Sequence, residues 1–199
     1  IHNLKSMTTN IILAGVGGQG VLTVAAILDT ACLNNGLFFK QSEVHGMSQR
    51  GGVVYSHVRI SDDVIYSDII PMGHADIILS TEPMELLRYL PYLKKDGWLL
   101  TDSETFENIA NYPQKERIFE SIKTHPNHLI VEATDIAQKL GNAKASNLVM
   151  LGVLSNHIPI KERALRAAIK SLFDKKGDRI LELNLKAFDA GRECVLEVV

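Results

Sequence analysis

The segment Gly15-Val16-Gly17-Gly18-Gln19-Gly20 constrains this chain more than any other feature. A short apolar, β-branched run, Asn10-Ile11-Ile12-Leu13-Ala14, leads into it. Val21, Val24, Ala25, Leu28 and Ala31 follow it at helical spacing, and Gly36 stands where that helix should stop. An apolar run ending at glycines reads as a buried strand. The segment is therefore a tight strand-to-helix turn, the opening of an α/β layer fold.

The remaining pattern agrees. Residues 37–39 start a second strand. Residues 52–60 read as a longer one, with Val54, His57 and Arg59 alternating along it. Residues 64–66 are placed to pair with it as a hairpin across Ser61-Asp62-Asp63. Residues 75–80, 97–101 and 128–131 complete the strands, and residues 85–92 look helical. Ser146 is expected to cap a helix through Leu148, Val149, Leu151 and Leu154. Leu165, Ala168, Ile169, Leu172 and Phe173 mark one face of another helix, and residues 183–191 a short final one. The fold class expected is α/β: a single Rossmann-like, three-layer α/β/α domain with a mostly parallel sheet and a β-hairpin extension. With 199 residues, 46% hydrophobic and 22% charged, one sizeable core can form. The domain is taken as residues 7–199. Residues 1–6 precede Met7, the expected native start, and are given no function.

Several classes are set aside. A net charge of −2 offers no nucleic-acid footprint. No apolar stretch approaches the roughly 20 residues of a membrane span. The N-terminus lacks a secretory signal, so a cytoplasmic protein is expected. Cys32 and Cys194 cannot supply a four-thiolate site, and His125 and His128 flank a proline without a third ligand, so no metal is expected. His57, His74 and His157 receive no role, and Trp98 is read as core.

The glycine loop admits two readings. It is either a cradle for a phosphate, formed by backbone N–H groups and the positive end of a helix, or a tight turn that binds nothing. Dinucleotide binding needs an acid at the tip of the second strand. Glu43 arrives late and Lys40 has the wrong charge for NAD. A second motif, Ser42-Glu43-Val44-His45-Gly46-Met47-Ser48-Gln49-Arg50-Gly51-Gly52, concentrates polar groups between glycines beyond a strand end. Arg50 is a fork of donors suited to phosphate or carboxylate. A nucleophile elbow is nearly matched by Gly46-Met47-Ser48-Gln49-Arg50, but arginine stands where the turn needs a small residue. Thr81 or Glu82 can face the same edge as the glycine loop, or start a helix.

These two loops, with residues 75–80, Glu82-Pro83, Ser146-Asn147, Asn184-Leu185-Lys186-Ala187-Phe188 and Gly191, resemble the gamma-type component of 2-oxoacid:ferredoxin oxidoreductases, most of all an arylpyruvate-using branch. The resemblance spans residues 10–191, and residues 43–52 are its most specific part. It implies oxidative decarboxylation of a 2-oxoacid on thiamine diphosphate and magnesium, electron transfer through iron–sulfur clusters to ferredoxin, and acyl transfer to coenzyme A. The thiamine pattern of Gly-Asp-Gly with a later Asn is missing. Gly177-Asp178-Arg179 lacks the second glycine. The resemblance therefore implies that a partner subunit carries those cofactors and that the chain alone is inactive. Gly15, Gly17, Gly18, Gln19, Gly20 and Arg50 are expected on the coenzyme A side. Glu43, His45, Ser48, Gln49, Gly51 and Gly52 are expected on a loop facing partner and substrate. No catalytic residue is assigned. The alternative is a stand-alone NAD(P)- or nucleotide-binding protein.

Overall fold

The computed structural model describes residues 7–45, 51–107 and 109–196. The first strand, β1 (Thr8–Val16), runs through the centre of a six-stranded sheet and leads into α1 (Val21–Leu33). The chain continues through β2 (Phe38–His45), β3 (Val53–Ser61), β4 (Ala75–Ser80), α2 (Pro83–Arg88), β5 (Leu93–Asp102), α3 (Lys115–Lys123), β6 (His128–Val131), α4 (Ala133–Lys139), α5 (Ser146–Leu154), α6 (Glu162–Phe173) and α7 (Asp178–Leu196). The strand order is β2-β3-β1-β4-β5-β6. β1 pairs in parallel with β4, β4 with β5 and β5 with β6. β3 runs against both of its neighbours, so β2 points the same way as β1. The fold is thus α/β with a mostly parallel sheet, as the pattern predicts.

Alternating side chains of the central strands feed two cores. Ile11, Leu13, Ile77, Leu79 and Leu100 face α1, α5, α6 and α7. Ile12, Ala14, Ile78 and Leu99 face α2 and α3. These opposite faces give three layers. α5 is the most deeply buried helix, with every residue from Asn147 to Leu154 out of solvent. It crosses α7 at backbone contact. A Cβ on Gly152 would stand 2.1 Å from the Phe188 carbonyl oxygen, and one on Gly191 would stand 1.9 Å from that of Val149.

Several expectations are corrected. The hairpin exists, but β2 and β3 form it, while residues 64–66 lie outside any strand. The second strand runs on to His45, so Ser42 to His45 belong to β2 rather than to a loop. Full pairing with β3 overrides the weak strand propensity of Lys40, Gln41 and Glu43. Ser146 is the first residue of α5 and not its cap. Ala145 takes the cap position without a side-chain hydrogen bond. α7 has 19 residues, far more than residues 183–191. α3 and α4 were not foreseen because each buries only two residues against the sheet.

Candidate functional site

β1 and β4 end side by side, and their following helices lie on opposite faces of the sheet. This is the switch point at which ligands bind open α/β sheets. The glycine turn fills it. A Cβ on Gly15 would meet Thr81 Oγ1 at 2.1 Å. Gly18 (φ 103°) and Gly20 (φ 77°) take left-handed conformations that favour glycine. Gln19 folds back into the turn, where its Oε1 accepts from the Val16 N–H (2.8 Å) and the Thr81 hydroxyl (2.9 Å). It braces the loop rather than pointing outward.

The amides of the turn divide into two groups. Gly17 donates to the Gly52 carbonyl (2.8 Å), and Gln19 to that of Val16 (3.1 Å). The N–H groups of Gly18, Gly20, Val21 and Leu22 have no acceptor among the described residues. Gly20 caps α1 through its backbone alone, leaving the positive end of that helix open. A cavity of about 280 Å³ lies here, lined by Val16, Gly17, Gly18, Gly20, Val21, Leu22 and Val54.

A second hollow of about 210 Å³ lies on the other side of Gly18 and Gly20. Thr23, Asn142, Lys144, Asn147, Lys176 and Asn184 supply its polar lining. Asn147 is buried and donates through Nδ2 to the Gly20 carbonyl (3.2 Å), which ties α5 to the turn. Two lysines with hydrogen-bonding amides beside a helix N-terminus suit an anion. The sequence reading missed Lys144 and Lys176, which are far from the turn in the chain. The Ser146-Asn147 pair was the one local signal pointing to this side.

The two motifs meet at the sheet edge. Gly51 donates to the Gly17 carbonyl (3.3 Å), reciprocating the Gly17–Gly52 bond. Glu43 is on β2, exposed, and accepts from Gln41 Nε2 (3.0 Å). His45 ends β2. Ser48, Gln49 and Arg50 lie outside the described residues.

Glu82 is fully buried at the end of β4. It caps α2 by accepting the Glu85 N–H at Oε2 (2.7 Å), while Oε1 accepts the Tyr112 hydroxyl and the Phe106 N–H (3.4 Å). Burial pushes its carboxyl above the usual range, against the pull of those hydrogen bonds. Glu85, also buried, is held by both arms of the Arg88 fork at 2.9 and 3.2 Å. Asp102, buried and likewise raised, accepts from Ala133 N, Thr134 N and Thr134 Oγ1 at the start of α4. These acids serve helix ends. Cys32 is buried in α1, its thiol pushed up to about 12 by burial, and Cys194 is on α7. No group of three metal-ligating side chains occurs among the described residues. The beginning of α7 at Asp178 makes Gly177 the turn between α6 and α7.

The dinucleotide alternative loses its geometry. β3 stands between β1 and β2, so the tip of β2 is two strand spacings, about 10 Å, from β1. An acid there cannot reach a ribose held at the glycine turn.

Comparison with known proteins agrees with this geometry. Residues 10–194 match the family described as pyruvate ferredoxin/flavodoxin oxidoreductase. The indolepyruvate oxidoreductase subunit IorB of Pyrococcus horikoshii is 38% identical over 96% of this chain and 97% of its own length. A keto/oxoacid ferredoxin oxidoreductase gamma subunit from Geobacter sulfurreducens superposes with a TM-score of 0.70 at 25% identity, covering 95% of this chain and 99% of the other. The 2-oxoglutarate:ferredoxin oxidoreductase of Magnetococcus marinus, solved with 2-oxoglutarate, coenzyme A and succinyl-CoA bound, shares the fold at a TM-score of 0.79 and 21% identity, over 96% of this chain and 32% of that one. The chain belongs to the pyruvate ferredoxin/flavodoxin oxidoreductase family, whose members make up subunits or domains of 2-oxoacid-oxidising enzymes. Within it, relatives named as indolepyruvate oxidoreductase subunits are 31–38% identical to this chain, and a 2-oxoglutarate synthase subunit is 31% identical. No helix among the described residues is long and apolar enough to cross a membrane.

Proposed function

We propose that this chain is the subunit that supplies the coenzyme A side of an arylpyruvate:ferredoxin oxidoreductase, working on a partner that carries thiamine diphosphate, magnesium and the iron–sulfur clusters. The observation that carries this reading is the open amide cradle of Gly18, Gly20 and the first turn of α1, with Lys144 and Lys176 beside it. Those amides and ammonium groups bind the phosphates of coenzyme A, whose thiol takes up the acyl group when bound. Gly15 and Gln19 shape the cradle, and Gly17 joins it to Gly51 and Gly52. Arg50, with Glu43, His45, Ser48 and Gln49, faces partner and substrate. The two cysteines lie on different helices and do not fit a cluster held by four thiolates. The cytoplasm, where ferredoxin accepts electrons, is the setting this reading requires.

Reconstitution tests the proposal. Mixed with the thiamine- and cluster-bearing subunit encoded beside it, the chain should restore coenzyme A-dependent reduction of a viologen dye, with indolepyruvate and phenylpyruvate preferred over pyruvate and 2-oxoglutarate. Neither protein alone should do so. A chain that binds NAD(P) at micromolar concentration and forms no complex would overturn the reading.

A further inference from the structure

Two successive side chains at the end of β4 hold different walls of the switch point. Thr81 grips Gln19, and so the glycine turn. Glu82 grips the connection between β5 and α3. Capping α2 needs only one carboxylate oxygen, Oε2. The other, Oε1, reaches 24 and 30 residues along the chain to the Phe106 amide and the Tyr112 hydroxyl. Phe106 in turn lies beside the second loop: a Cβ on Gly51 would be 3.7 Å from its ring. Gly51 and Gly52 are bonded to Gly17. Yet Phe106 remains 44% exposed, an apolar ring held in solvent beside Gly51. Its exposure argues against a packing role, and its tethering argues against a free loop tip.

We propose that Glu82 is a positioning residue for the coenzyme A-dependent reaction: through Tyr112 and the Phe106 amide it holds the Phe106 ring beside Gly51, where the ring contacts the alkyl arm of coenzyme A. This rests on the functional reading given above. Neighbouring residues just past the end of β4 then fix both the phosphate-side turn and the apolar ring. The distance between them is set by the sheet rather than by two independent loops. Such pre-set walls lower the ordering cost of binding a long, flexible ligand.

Tyr112→Phe and Phe106→Ala, each reconstituted with the partner subunit, test this. Each should raise the KM for coenzyme A about tenfold, the effect of one lost contact, with kcat changed less than about twofold. The KM for indolepyruvate should not move, and Phe106→Leu should recover most of the loss. In the full chain, Tyr112→Phe should speed amide exchange at Phe106, Gly51 and Gly52. Unchanged KM for coenzyme A in both variants, with assembly retained, overturns the proposal. So does unchanged exchange at Gly51 in Tyr112→Phe. A rise in the indolepyruvate KM instead would assign the ring to the oxoacid and overturn the coenzyme A contact. If the wild-type complex turns over no 2-oxoacid, the functional reading itself fails, and the exchange experiment still decides whether Glu82 holds the loop.

Discussion

His57 and His157 sit in the fold in their neutral form, and the reasons differ. His57 is buried, and its Nδ1 accepts the Ile70 N–H (3.1 Å), an arrangement a protonated ring cannot keep. His157 packs against Trp98 with ring centroids 4.5 Å apart and the rings tilted by 47°, and its Nε2 has no hydrogen-bond partner among the described residues. Burial lowers both from the ordinary value of 6.5, with Asp68 opposing the effect at His57. The unfolded chain therefore binds more protons as pH falls below about 6.5, and stability is lost in that direction. Urea midpoints should hold steady from pH 8 to about 7 and then fall on acidification. His157→Phe should blunt the fall. In the same pH range, Ile70 should lose amide protection before the core strands do. Neither histidine touches the glycine turn, so this sensitivity belongs to the scaffold. At the same scale, Gly20 shows what could be read from sequence and what could not. Its place between strand and helix announces the turn. Its φ of 77° is one reason for glycine, and a second, Asn147 Nδ2 at 2.4 Å from any Cβ, lies 127 positions away.

The α5–α7 crossing makes the most demanding test at the level of elements. Gly152→Ala or Gly191→Ala drives a methyl group into the opposite backbone, which cannot rotate away as a side chain would. Overpacking costs about 1–3 kcal/mol, and backbone contact places these variants at the upper end or beyond it. Thermal melts should show a drop of several degrees for either variant, and Gly36→Ala, with open space around it, should not share that clash. The strands at the centre of the sheet were the most legible elements. β4, at the centre, matches its sequence-based bounds because residues 75–80 form an apolar run with five of six residues buried, and β6, at the edge, matches at residues 128–131 although only Val131 is buried. β2 was expected to give way to a loop from Ser42 because its second half is polar and owes its form to β3. α3 and α4 escaped notice for the same reason in helical form, since their few buried positions make too narrow a stripe. The glycine turn and its meeting with Gly51 and Gly52 were foreseen as neighbours at one edge. The lysine-lined hollow depends on the tertiary approach of α1, α5 and α7, which no local spacing reveals.

As a whole, the molecule is one layered domain whose relatives are named as subunits. Arg50→Ala separates the two tasks open to that side chain. A weaker coenzyme A affinity in an intact complex means that the guanidinium binds a ligand phosphate. Loss of assembly on size exclusion means that it anchors the partner, and the cost should then reach several kcal/mol, as for a buried ion pair with one member removed. The reversed direction of β3 has a bearing on how such enzymes diversify. Since β2 ends and β3 begins at the same edge, the chain leaves and re-enters the sheet within reach of the glycine turn. Residues can be gained, lost or exchanged between those two points without shifting the register of any strand pair. Variation confined to that edge thus leaves the fold that presents it as it is.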